Sequence, residues 1–200
     1  MTAEILSPED QARADLYGLL ARLFYEPPDA QLLRSLASAG DLPAEEETSA
    51  LASGWRAIKH AAAQCDPETV KEEFDSIFIG TGKAEVTPYA TAYLARTETS
   101  DGGGHPLVLL RTFLAARGLA RKDGVHEPED HIAGLCEVMR HLIGANDASG
   151  QREFFESFLA PSGHRLCDAI TASQRVRFYA PVARFATAFL QLEEEVVKMD

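Results

Sequence analysis

The run His126-Glu127-Pro128-Glu129-Asp130-His131-Ile132 places three carboxylates, two imidazoles and a proline within seven residues. Two chemistries suit such a set. Carboxylates can pair guanidinium groups bidentately. A carboxylate beside an imidazole can also hold a metal or move a proton. The second chemistry needs ligands at i and i+4 on a helix, as in H-E-x-x-H. His131 has no second histidine at that spacing, since His126 precedes it and His141 lies ten residues on. The adjacent pair is also Asp-His, not the His-Asp order of HD-type phosphohydrolases. A small helical metal-dependent hydrolase using Asp130 and His131 therefore stands as the alternative reading. A third role is structural, with acids near a helix N-terminus complementing its dipole.

These side chains need an element to hold them. Proline is favoured at the first helical position, and the residue before it is pushed out of the α region. A helix starting at Pro128, capped by Glu127, is expected. Glu127, Asp130 and His131 would then lie about one turn apart on a shared face. Gly134, on the same face, would leave room for another backbone. The pattern Ile132, Leu135, Met139, Leu142 continues as an amphipathic helix.

Helical spacing recurs throughout. Ser7-Pro8-Glu9-Asp10 is a helix start, followed by Leu16, Leu19, Leu20, Leu23 and Phe24. Pro27-Pro28 ends it. Further helices are expected around Leu32–Leu36, Leu51–Ile58, Asp66-Pro67 to Phe78, Pro106–Phe113, Phe154–Leu159, Leu166–Ile170 and Val182–Val197. A shorter one from Pro88 would set Tyr89 and Tyr93 on one face, with Leu94 beside them. No strand-like alternation persists. The fold class is all-α: a single globular bundle of about ten helices, one domain over residues 1–200. The segment 97–104, with its three successive glycines, reads as a flexible loop.

Composition narrows the function. At 46% hydrophobic residues the chain can bury a large core, yet its apolar runs are too short to span a bilayer. The N-terminus has no basic residues before an apolar stretch, so no secretory signal is expected and the location should be cytoplasmic. A net charge of −12 with no basic patch argues against nucleic acid and suits a basic peptide. Cys65, Cys136 and Cys167 form no C-x-x-C pair, which leaves no zinc ribbon or iron–sulfur site. Gly80-Thr-Gly82-Lys83 is not a P-loop, and no nucleophile motif appears. No cofactor and no metal are expected.

Two patches carry a resemblance. Glu127-Pro-x-Asp130-His131-Ile132, with Met139 and Leu142, resembles the signature of the TorD/DmsD family of molybdoenzyme maturation chaperones. Phe74-Asp-Ser-Ile-Phe-Ile-Gly80 followed by Pro88-Tyr89-Ala-Thr-Ala-Tyr93-Leu94 is similar to the family's other motif. Thr91 stands where the family often has Ser, and Ala133 where it often has Gly. The resemblance implies a TorD-like helical fold and a non-enzymatic chaperone. It would bind the N-terminal twin-arginine leader of a molybdoenzyme catalytic subunit and assist cofactor insertion and proofreading before export. It implies a monomer or a segment-exchanged dimer, with exchange through the 97–104 loop, and no stable membrane insertion. The peptide-binding residues it implies are Glu127, Pro128, Asp130 and His131, with Glu129 as a further arginine contact and Tyr89, Tyr93 and Leu94 as apolar wall.

Overall fold

The computed structural model describes residues 6–42, 49–80, 84–94, 104–121 and 127–199. The glycine-rich 97–103 segment, Gly82-Lys83 and His126 lie outside them. Among the described residues the chain is all-α, with nine α-helices and no strand. The helices are α1 (Pro8–Tyr25), α2 (Ala30–Ser38), α3 (Ala50–Gln64), α4 (Pro67–Phe74), α5 (Pro106–Ala116), α6 (Ile132–Gly144), α7 (Ala148–Phe154), α8 (Ala160–Ala172) and α9 (Tyr179–Met199).

The starts follow from local chemistry. Ser7, Asp29, Ser49, Asp66 and Asp147 each accept a backbone N–H three residues on, and Pro8 and Pro67 open their helices. Such caps satisfy donors that the first turn leaves unpaired. Two helices widen into π turns, over Asp75–Ile79 and Phe155–Leu159. The second joins α7 to α8 as one continuous run, where sequence spacing suggests two separate helices. Pro161 explains the widening. In a regular α-helix its ring would meet the carbonyl of residue 157 and no N–H would be donated; here Ala160 instead bonds Phe155 O across five residues.

Helix α9 forms the centre. Val182, Phe185 and Phe189 are fully buried, and α3 and α8 pack against it. Gly54 permits the α3 approach, since a Cβ there would sit 2.9 Å from Phe185 Cα. Helix α1 packs along α6, and that pair frames the site described below.

Two buried ionic groups tie distant segments to α9. Arg13 donates to both oxygens of Glu193, at 2.8 and 3.0 Å, and to Gln151 on α7 at 3.0 Å. Tyr17 donates to Glu193 at 2.9 Å. Glu73 on α4 accepts the N–H groups of Arg177, Phe178 and Tyr179 at the α9 start. A buried charge is tolerable only when its partners are complete. Removing Glu193 would leave Tyr17 without its acceptor and Arg13 with only Asp10 and Gln151. Glu193→Ala should therefore cost about 3–5 kcal/mol, read as a lowered denaturant midpoint; a loss below about 1 kcal/mol would contradict this role.

Candidate functional site

The structure corrects the expected helix start. Residues 128–131 form a turn, closed by His131 N–H donating to Pro128 O at 3.1 Å. Helix α6 begins only at Ile132, with His131 as its cap. The reason is non-local. Ala90 N donates to Asp130 O at 2.7 Å, and Ile132 N donates to Pro88 O at 2.8 Å. These bonds form an isolated antiparallel bridge between Tyr89 and His131. A helix from Pro128 would have denied both groups to the 88–90 segment. That segment is corrected too. It is extended at Tyr89, and only Ala90–Ala92 make a short 3-10 turn. Tyr89 and Tyr93 thus do not share a helix face, and Glu127, Asp130 and His131 do not form a helical stripe.

The turn places each side chain differently. Asp130 is 4% exposed and accepts the Thr91 hydroxyl through Oδ2. Thr91 supplies the same hydroxyl that serine would. His131 is buried and accepts Ala133 N–H at Nδ1, at 3.2 Å. The rings of Tyr25 and Tyr89 stand nearly perpendicular to it, with centroids at 6.0 and 5.5 Å. Burial lowers the His131 pKa below its ordinary value, against the opposing pull of Glu127 and Asp130. Tyr89 donates to Glu127 Oε2 at 2.6 Å, and that bond, with burial second, pushes the phenol up to about 12. Arg121 donates to the Glu127 carbonyl. Arg111 donates twice to Glu129 Oε2, at 3.0 and 3.2 Å. Glu129 lies below the usual carboxylate range, held first by a backbone N–H and also by Arg111. Tyr93 donates to Thr87 O, and Arg165 donates to the Tyr93 carbonyl.

A cleft of about 650 Å3 opens beside the turn. Its walls are Gly18, Ala21, Arg22 and Tyr25 of α1; Leu114 and Leu119 around the end of α5; Glu127, Pro128, Glu129 and His131; and Ala133, Gly134, Glu137, Val138 and Arg140 of α6. Asp130, Tyr89, Tyr93 and Leu94 do not line it. Tyr89 contacts the lining Glu127 from behind, Asp130 is bonded to Thr91 away from the lining, and Leu94 packs against the core. The backbone that approaches Gly134 is that of the turn itself: a Cβ there would meet Glu129 O at 3.6 Å, and one at Gly18 would meet the Arg140 side chain at 3.5 Å. Both glycines line the cleft.

The cleft walls are not uniformly acidic. Arg22, Arg121 and Arg140 stand there with Glu127, Glu129 and Glu137. Sequence reasoning missed the α1 wall altogether. Its one local signal is Gly18, which costs a helix interior about 1 kcal/mol relative to alanine and so marks a face where smallness is useful. For the hydrolase alternative, the donor set is poor. Nδ1 of His131 is committed to Ala133 and Oδ2 of Asp130 to Thr91, and no group of three potential ligands gathers among the described residues.

Comparison with known proteins bears on this arrangement. A family model described as nitrate reductase delta subunit matches residues 44–189. The chain belongs to that family. Curated relatives named chaperone protein TorD align over nearly the full length. That of Shewanella loihica is 27% identical over 96% of this chain and 95% of the relative. That of Vibrio cholerae is 24% identical over 92% and 91%, and that of Shewanella pealeana 26% over 97% and 93%. The TorD resemblance read from the two motifs is thus shown, and the motifs meet in space at the Tyr89–His131 bridge.

Two outcomes follow. His131 is neutral in the folded cap, and its folded pKa is lowered from an unfolded value near 6.5. The unfolded chain then binds the extra proton first, so stability is complete above about pH 6.5 and falls as the pH drops below it. Asparagine, a good cap without this titration, should flatten that slope in His131→Asn when denaturation is followed against pH; an unchanged slope would contradict it. Thr91→Val leaves the buried Asp130 short of a donor and should cost about 1–3 kcal/mol. Thr91→Ser should retain most of the stability in the same melts.

Proposed function

We propose that this chain is a maturation chaperone for a molybdoenzyme subunit, holding that subunit's N-terminal leader in the cleft between α1 and α6. The single observation that carries the reading is the placement of the family motif. Glu127, Pro128, Glu129, His131, Ala133 and Gly134 line one wall of a cavity large enough for a short peptide, and the second motif braces that wall from behind. The family membership and the TorD relatives support the same reading. The client's leader is a twin-arginine segment followed by an apolar run. Occupation of the cleft keeps the leader from export while the cofactor is inserted. The work takes place in the cytoplasm; none of the described helices is long and apolar enough to cross a membrane.

The residues divide the task. Glu127 has its side chain oriented by Tyr89 and receives an arginine of the leader. Pro128 fixes the turn at the rim, and His131 meets the peptide from the wall. Asp130, through Thr91, holds that wall in register. Tyr93 and Leu94 steady the 88–94 segment. Glu129 is already engaged by Arg111 and contributes less than Glu127. Apolar side chains of the leader lie against Ala21, Ala133, Gly134 and Val138.

A synthetic leader peptide with two consecutive arginines should bind, and a peptide with both replaced by glutamine should bind about ten-fold more weakly, as loss of one charged hydrogen bond entails. Glu127→Gln should remove most of that difference and reduce the salt dependence. Equal titration curves for the two peptides in calorimetry would contradict the assignment of Glu127.

A further inference from the structure

His131 is the least exposed polar side chain of the cleft wall, at 6%, and only one of its ring nitrogens is accounted for within the fold. Nδ1 accepts Ala133 N–H, which fixes the neutral ring with its proton on Nε2. Among the described residues no hydrogen bond reaches Nε2. None of their fully enclosed side-chain polar atoms lacks a partner, so Nε2 keeps access to space, and the space His131 lines is the cleft. Rotation cannot hide it. Tyr25 and Tyr89 flank the ring, and the cap bond holds its other edge.

We infer that His131 offers the cleft a single Nε2–H donor, and that the group it receives is an unpaired backbone carbonyl of a bound peptide segment. The inference rests on the leader reading and specifies the ligand chemistry at one point of it. A guanidinium or ammonium has no acceptor to offer an N–H. A carboxylate would come close to Glu127 and Asp130, which already surround the ring with negative charge. A neutral oxygen meets neither objection. Carbonyls inside a helix are already bonded, so the segment facing His131 is extended, or is the last turn of a helix whose carbonyls are free. The arginines and the apolar run are then read by other groups, and His131 reads the backbone. A ligand lacking an acceptor at this point leaves a buried donor unpaired, which discriminates strongly against it.

The test uses the whole chain and a synthetic peptide of about 25 residues carrying two arginines and an apolar run, long enough to extend beyond a cleft of this size. Long-range proton–nitrogen NMR of the imidazoles should show His131 as the Nε2–H form, with that nitrogen shifting when the peptide is added. His131→Asn keeps the cap, since asparagine is among the best capping residues, but removes the distal donor. It should melt as the wild type does near neutral pH and bind the peptide about 3- to 10-fold more weakly. On the peptide side, one amide-to-ester replacement near the arginines should weaken binding to the wild type comparably, because an ester carbonyl is the poorer acceptor. N-methylation of the same bond, which keeps the carbonyl, should not. An Nδ1–H ring, or equal affinity of His131→Asn and wild type, overturns the inference. Failure of the wild type to bind the peptide at all instead overturns the leader reading and the ligand assigned here, while the ring spectrum still decides the donor.

Discussion

The cleft depends on the backbone bridge between residues 88–90 and 130–132. Two hydrogen bonds, Ala90 N to Asp130 O and Ile132 N to Pro88 O, hold the turn open where a helix could have formed. The buried Asp130–Thr91 contact locks the register. Because the turn persists, α6 starts at Ile132, His131 becomes its cap, and Glu127 through Glu129 project along the mouth of the cleft instead of winding onto a helix. The bridge thus converts a charged helix start into a wall. It also explains why two motifs about forty residues apart in the chain belong to one site.

Rigidity of that wall follows from how many groups are satisfied there. The donors and acceptors of Asp130 and His131 that face the protein are used within it, and Tyr89 fixes Glu127 from behind. A site whose side chains are held before the ligand arrives loses less entropy on binding. The opposite wall is built differently. On α1, Gly18 and Ala21 contribute space more than contacts, and Tyr25 supplies a half-exposed ring at one end. Polar groups held in place at the turn, beside small and apolar positions on both helices (Gly18 and Ala21 of α1, Ala133, Gly134 and Val138 of α6), suit a ligand that carries both polar features and an apolar run.

Much of the fold was legible in the chain. Ser7-Pro8, Asp66-Pro67 and the Pro106 start carry their signals locally, and the helices begin there. The 3.6-residue spacing of α6 and α9 was equally plain. Pro128 does not decide its element locally, because proline after an extended residue begins a turn as readily as a helix. The choice was made by Pro88 and Ala90, whose hydrogen bonds no local pattern reveals. The α1 wall and the Arg13–Glu193 pair were hidden for the same reason. They join segments that only the packed bundle brings together. Glu127, Pro128 and His131 were found by type and do line the cleft, whereas the access of Asp130 could not be read, since burial is a property of the packing.

The central claim is that the cleft between α1 and α6 holds a leader peptide. Titration of the isotope-labelled protein with a twin-arginine peptide, followed by backbone amide shifts, tests it most directly. The account predicts that shifts concentrate on Gly18, Ala21, Glu127, His131, Ala133 and Gly134, with little change at Ala62 and Ala63 on the remote end of α3. Shifts confined to that remote surface, or none at saturating peptide, would contradict it.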